Sequence, residues 1–83
     1  MKGVSPMYYY DIVASIYNET CRTNSHLICG GFNTVEEAIN YINTYDVSEV
    51  DYYKYCKDDE AAYIEIDVHN ALSETIVDVI TVD

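Results

Sequence analysis

Basic residues are scarce in this sequence. Its 83 residues include four lysines and arginines against fifteen aspartates and glutamates, which gives a formal net charge of −11 at pH 7. A field of that sign repels nucleic acids and anionic membranes and attracts basic proteins. Direct binding to DNA, RNA or a membrane surface is therefore not expected. Two explanations of the acidity stay open: attraction of a basic partner, or maintenance of solubility alone.

Cysteine is also rare, and long apolar runs are absent. The three cysteines, Cys21, Cys29 and Cys56, are an odd number and follow no apolar signal segment. We therefore expect no disulfide framework, and we expect a cytoplasmic location. No stretch approaches the length of a membrane span. We interpret residues 1–6, MKGVSP, as a disordered leader or an expression remnant, and we expect one domain over residues 7–83.

No motif in the sequence specifies a reaction, a cofactor or a metal. Cys21, His26 and Cys29 form the spacing C-x4-H-x2-C, which matches no common zinc motif even with His69 as a fourth ligand. The run KDDE at residues 57–60 lacks the alternation and the glycine of a calcium loop. We therefore expect no enzymatic activity and neither a bound metal nor a cofactor.

Hydrophobic periodicity predicts strands at both ends of the chain. Apolar and polar residues alternate with a period of two in MYYYDIVASIY and again from Ala61 to His69, which is typical of half-buried strands. The shorter stretches HLICGGF and TIVDVITV complete two hairpins. The polar segments NETCRTNS and NALSE are predicted to be the turns of those hairpins.

Between the two hairpins, the segment TVEEAINYINTYD predicts a helix over residues 35–45. Thr34 and Glu37 have the spacing of a capping box, and the apolar residues from Val35 to Ile42 fall on one helical face. A second, short helix is predicted over residues 48–57, with an irregular arm rich in tyrosine as the alternative.

The order β-β-α-(α)-β-β predicts an α+β fold. We expect a small single domain with a mainly antiparallel sheet of about four strands, and one or two helices packed on one face of that sheet. The opposite face is expected to be exposed and to carry tyrosines and carboxylates.

The aromatic composition predicts a protein-binding surface. Ten tyrosines, one phenylalanine and no tryptophan form a biased set, and tyrosine is enriched at protein interfaces. The alternative is that the tyrosines fill a small core. The residues predicted to contact a partner are those of the stretch VDYYKYCKDDE and of the exposed sheet face: Tyr52, Tyr53, Tyr55, Asp58, Asp59, Glu60, Tyr63, Glu65 and Asp67.

In size and composition the chain resembles bacteriophage inhibitors of host defence, including anti-CRISPR proteins and other DNA mimics. The resemblance implies an inhibitor whose carboxylates occupy the basic nucleic-acid-binding surface of a target protein.

A second resemblance is to HicB-type antitoxins. YYYDIVASIY followed by GFNTVEEAINYI, within residues 8–42, resembles their first strand and the helix that is entered through a T-x-E-E-A stretch. The family's glycine and proline segment is missing here. This resemblance implies an antitoxin-like neutraliser of a small basic toxin.

A further alternative is a homodimer that pairs through the last strand, which is apolar on both sides.

Overall fold

A computed structural model describes residues 7–82 of the chain. The leader expected over residues 1–6 lies outside the described residues, as does Asp83 at the end of the expected domain. The elements in chain order are β1 (Tyr8–Asn18), β2 (Cys21–Phe32), α1 (Val35–Thr44), a 3₁₀ helix (Glu49–Tyr55), β3 (Glu60–Asn70) and β4 (Ile76–Thr81). This order confirms the predicted α+β fold.

The four strands form one antiparallel sheet in the spatial order β2-β1-β3-β4. Strands β1 and β3 occupy its centre, with Ile12 opposite Ile66 and Ala14 opposite Ile64. Because side chains alternate between the two faces of a strand, these four residues point to the same face.

The hydrophobic core lies between this sheet face and α1. Its buried residues come from both central strands and from one side of the helix: Ile12, Ala14, Ala38, Ile42, Ile64 and Ile66. Ala38 and Ile42 are four positions apart, so both face the sheet from adjacent turns of α1. Val35, Ala38 and Ile42 of the predicted apolar stripe thus form the helical side of the core, whereas Ile39, the fourth residue of the stripe, is 37% exposed.

Capping interactions within the chain fix the start of α1. The backbone N–H of Glu37 donates to Thr34 Oγ1 at 3.1 Å, and the Glu37 carboxylate accepts from the N–H of Asn33 at 3.0 Å. These bonds satisfy donors that the first turn leaves free. The helix predicted over residues 35–45 is confirmed, with its end one residue earlier.

The second predicted helix is a 3₁₀ helix and is shorter than expected. Ser48 caps it by accepting the N–H of Val50 at 3.2 Å. Side chains three positions apart eclipse one another in this geometry, so Tyr52 and Tyr55 lie on one side. Tyr52 packs against the core, and the Tyr55 ring stacks on His26 of β2 with 4.3 Å between ring centroids.

The second strand begins earlier than the sequence indicated. β2 starts at Cys21, and only Glu19 and Thr20 form the turn, so most of the segment predicted as a turn is strand. β2 is an edge strand with largely exposed residues, and polar side chains are tolerated there because they need not enter the core. Within residues 7–82, no helix is long and apolar enough to cross a membrane.

Candidate interaction surfaces

The sheet face opposite α1 is closed by one arginine. Arg22 lies on β2 and reaches across β1 to two carboxylates of β3: it donates to Glu65 Oε1 at 2.8 Å and to both oxygens of Asp67 at 3.0 and 2.9 Å. Tyr17 adds a hydrogen bond from its hydroxyl to Glu65 at 2.9 Å. We call these four residues the Arg22 cluster.

Glu65 and Asp67 are not exposed, so the expectation of a freely exposed carboxylate face is wrong for them. They are only 4% and 3% exposed, whereas the Arg22 side chain that covers them is 21% exposed. Charged groups are rarely buried to this extent unless they are paired. Because the guanidinium supplies that pairing, both carboxylates are part of the folded structure and not of a free acidic surface.

The pairing shifts the titration of the cluster. Burial would raise the pKa of Glu65, but hydrogen bonds from neighbouring side chains, Arg22 and Tyr17 among them, outweigh burial and hold that pKa below its ordinary value. The pKa of Tyr17 is raised, by burial and by its hydrogen bond to Glu65. These contacts favour the ionised form of Glu65 and the neutral form of Tyr17. Counted formally, the two carboxylates of the cluster exceed its single guanidinium by one negative charge.

A third carboxylate on this face has its own partners. Asp11 lies directly opposite Asp67 in the sheet, an arrangement of like charges that destabilises a strand pair. Asp11 is held away from its neighbour by two contacts: it accepts the N–H of Gly31 at 2.9 Å and lies 3.3 Å from His69 Nε2. Each of the two facing carboxylates thus has partners of its own, and these contacts offset the repulsion between the carboxylates.

The main concentration of predicted contact residues is a groove between the 3₁₀ helix and the start of β3. It has a volume of about 470 Å³ and brings together Tyr53, Asp58, Glu60 and Tyr63 from the predicted set. Glu49, Cys56, Lys57, Ala61 and Ala62 complete its lining. Three carboxylates therefore face one lysine in what we call the acidic groove.

Two tyrosines give the acidic groove an aromatic character. Tyr53 and Tyr63 are 54% and 46% exposed. A half-exposed tyrosine presents an apolar ring with a polar tip, which suits it to contact with another protein. Asp58 and Asp59 occupy the exposed turn before β3, and Asp58 also lines the groove. Neither has an ion-pair partner in the described part of the chain.

Glu60 has a different role from its two acidic neighbours. Its carboxylate accepts the N–H of Lys57 at 2.8 Å and the hydroxyl of Thr23 at 2.9 Å. These contacts close the turn before β3 and attach it to β2, and they lower the pKa of Glu60, the bond from Lys57 contributing most. Among the residues of the predicted acidic run, Glu60 is thus committed to local structure.

Tyr52 and Tyr55 lie away from the groove. They are on the side of the 3₁₀ helix that faces β2. There the half-exposed Tyr55 ring stacks on His26, and the ammonium of Lys54 lies 5.2 Å from the Tyr55 centroid. The structure thus divides the predicted contact residues into three places: the acidic groove, the contact of the 3₁₀ helix with β2, and the Arg22 cluster.

The sequence reasoning missed Arg22 and Tyr17 as partners of Glu65. The chain has a single arginine, and it lies in a segment predicted to be a turn. The available signal was that a single arginine in an acidic chain is expected to pair with a carboxylate. The carboxylate could not be named from the sequence, because that requires the strand register, in which Tyr17 of β1 lies opposite Arg22 of β2.

Comparisons of the chain with protein-family models, with curated proteins and with solved structures find no match. The resemblances to phage inhibitors and to HicB-type antitoxins therefore stay predictions. Within residues 7–82, no group of three or more histidine, cysteine or acidic side chains is placed to hold a metal ion.

Proposed function

We propose that this protein acts by binding a basic protein, and that it inhibits its target by occupying the target's nucleic-acid-binding surface. The observation that carries the proposal is the acidic groove. There, Glu49 and Asp58, which have no ion-pair partner within residues 7–82, lie beside half-exposed tyrosine rings. Carboxylates can stand in for nucleic-acid phosphates toward lysines and arginines, and tyrosine rings supply apolar contact area.

The distribution of charge supports the groove over the sheet face as the primary contact. The carboxylates of the Arg22 cluster are buried and neutralised in part, so they exert a weak field at a distance. Asp58 and Asp59 lie in a solvent-exposed turn, where their charge steers an approaching basic protein. Such steering acts mainly on the association rate and weakens as salt is added.

The experiment is a paired charge reversal. Asp58→Lys with Asp59→Lys changes the exposed turn and leaves the hydrogen bonds of Glu60 in place. The matched control is Glu36→Lys with Glu74→Lys, which makes the same change in net charge at two exposed positions outside the groove. Each variant is immobilised and exposed to a bacterial lysate, with and without competitor duplex DNA and at two salt concentrations.

We expect wild type and control to retain a nucleic-acid-binding protein that DNA and salt both displace, because both compete for one electrostatic site. With the purified target, the groove variant is expected to associate about tenfold more slowly. Equal retention by the groove variant and the control would contradict the proposal, and so would a retained protein that DNA does not displace.

Self-association through β4 is the second candidate. Ile76, Val77 and Val79 are 48%, 51% and 38% exposed on a strand at the edge of the sheet, and an exposed edge is a template for pairing. Asp78 opposes it, because its carboxylate accepts the N–H of Val79 at 2.8 Å and places a charge at the edge. Asp78→Ala should therefore promote dimerisation in sedimentation experiments, and an unchanged monomer would exclude pairing through this edge.

A further inference from the structure

A second groove opens on the sheet face opposite α1, at the end nearest the turn between β1 and β2. It has a volume of about 350 Å³ and is lined by six residues: Tyr17, Glu19, Thr20, Tyr63, Glu65 and Thr81. It adjoins the Arg22 cluster, which contributes Tyr17 and Glu65 to its lining. We call it the sheet-face groove.

The lining of the sheet-face groove has the chemistry of a cation site. Two carboxylates, two hydroxyls of threonine and two tyrosine rings surround the space, and none of the six lining side chains is basic. We propose that the sheet-face groove binds one guanidinium or ammonium group, supplied by an arginine or lysine side chain of the basic partner. The inference rests on the proposed function only for the source of that cation.

An unbalanced buried charge is the first reason. Glu65 and Asp67 share a single guanidinium, so the formal charge of these two carboxylates, which are 4% and 3% exposed, exceeds that of their counter-ion by one. Desolvation makes an unbalanced charge costly and strengthens its attraction for a cation. The sheet-face groove is where such a cation can approach Glu65, because Glu65 lines it and Arg22 does not.

The tyrosine rings are the second reason. Tyr17 and Tyr63 meet edge to face, with 5.6 Å between their centroids and an angle of 76° between their planes. Tyr63 is half-exposed, so part of its ring is open to a ligand. A cation over an aromatic face is attracted by the ring quadrupole, and pairs of angled rings beside a carboxylate suit alkylammonium and guanidinium groups.

Glu19 supplies the free carboxylate of the site. The oxygens of Glu65 already accept hydrogen bonds from Tyr17, Arg22 and Thr81. Glu19 lies in the exposed two-residue turn with a φ of 57°, and within residues 7–82 it has no ion-pair partner. A bound cation would therefore contact the Glu19 carboxylate directly. It would be attracted to Glu65 by the negative charge that Arg22 leaves unbalanced.

Tyr63 connects the two grooves, because it lines both of them. A partner that covers the start of β3 can thus contact the acidic groove with one part of its surface and place one basic side chain in the sheet-face groove. When one rigid partner makes both contacts, the second contact forms within a complex that already exists. The affinity for the whole partner therefore exceeds the affinity of either contact alone.

The test uses small probes and the intact protein. Nα-acetyl-arginine amide and Nα-acetyl-lysine amide are titrated while amide chemical shifts are followed by NMR, and the neutral Nα-acetyl-citrulline amide serves as the uncharged comparison. The variants are Glu19→Gln and Tyr63→Leu. The control is Glu74→Gln, which neutralises a glutamate that lines neither groove and has a nearly identical φ of 58°.

We expect saturable shifts at Tyr17, Tyr63 and Thr81 with a cationic probe and none with citrulline. Glu19→Gln should raise the Kd about threefold, as for loss of an exposed ion pair, and Tyr63→Leu about threefold, as for loss of an exposed cation–π contact. Glu74→Gln should leave the Kd unchanged.

Three results would overturn the inference: shifts that do not saturate, equal binding of citrulline, or a Kd that Glu74→Gln raises as much as Glu19→Gln does. The last would indicate attraction to net charge alone. Since the probes need no partner protein, failure of the sheet-face groove and failure of the proposed function are separate outcomes.

Discussion

Replacement of Arg22 by methionine tests whether the sheet face is held by charge pairing. Methionine keeps an apolar side chain of similar length over the strands but removes the three hydrogen bonds of 2.8 to 3.0 Å to Glu65 and Asp67. Two carboxylates that are 4% and 3% exposed are then left without a counter-charge.

The expected loss lies between two reference values. Breaking a fully buried ion pair costs about 3–5 kcal/mol, whereas exposed pairs contribute about 1 kcal/mol or less. Because the Arg22 side chain is 21% exposed and admits some water, we expect the free energy of unfolding to fall by about 2–3 kcal/mol at pH 7. That is a large part of the stability of so small a domain, which is about 4–12 kcal/mol.

The dependence on pH distinguishes charge pairing from packing. In the wild type the pKa of folded Glu65 lies below its unfolded value, so the stabilisation is present above the unfolded pKa and is lost as the pH falls through the folded one. Removal of Arg22 takes away one of the contacts that lower the folded pKa of Glu65, so acid destabilises the variant less than it destabilises the wild type. The difference between the two proteins should therefore shrink from pH 7 toward pH 4.

The assay is urea unfolding followed by circular dichroism at both pH values, since urea adds no screening ions. Arg22→Lys is the matched control: it keeps the charge but loses the planar fork, so an intermediate loss is expected. A loss under about 0.5 kcal/mol, or one that is equal at pH 7 and pH 4, would refute the reasoning and assign the effect to packing of the arginine stem.

Three further changes test the structural role of single residues. Gly30→Ala should destabilise the fold by about 2 kcal/mol in urea unfolding, because a Cβ at this position would lie 2.4 Å from Asp11 Oδ1. Gly31→Ala should also destabilise the fold, because Gly31 has a φ of 83°, which is unfavourable for a residue with a Cβ. Thr34→Ala should cost about 1 kcal/mol by removing the cap of α1, and Thr34→Ser should restore it. No loss of stability in any one of the three alanine variants would contradict the role assigned to that residue.

The elements that the sequence predicts well are those fixed by local interactions. α1 was predictable at both ends because its capping box and its apolar stripe lie within ten residues of each other. β1 and β3 were predictable because the central strands alternate cleanly. β2 was harder, because a polar edge strand and a polar turn have similar compositions, and only pairing with β1 distinguishes them.

The candidate site was predictable in part for the same reason. Tyr53 and Asp58 were expected in a contact surface from their neighbours in sequence, and both line the acidic groove. The burial of Glu65 and Asp67 was not predictable, because it depends on a strand register that places Arg22 on the same sheet face. Alternation gives the face to which a side chain points, but it does not give the partner that covers it.

The net charge of the chain therefore combines carboxylates with two different functions. Removal of one kind, represented by Glu65 and Glu60, alters hydrogen bonds that hold strands and turns together. Removal of the other kind, represented by Asp58 and Asp59, alters only an exposed turn. Indiscriminate neutralisation would weaken binding and folding together, so a loss of activity could not be assigned to either. A change restricted to the free carboxylates is expected to leave the stability of the fold unchanged. Any loss of association that it causes then measures the electrostatic attraction alone.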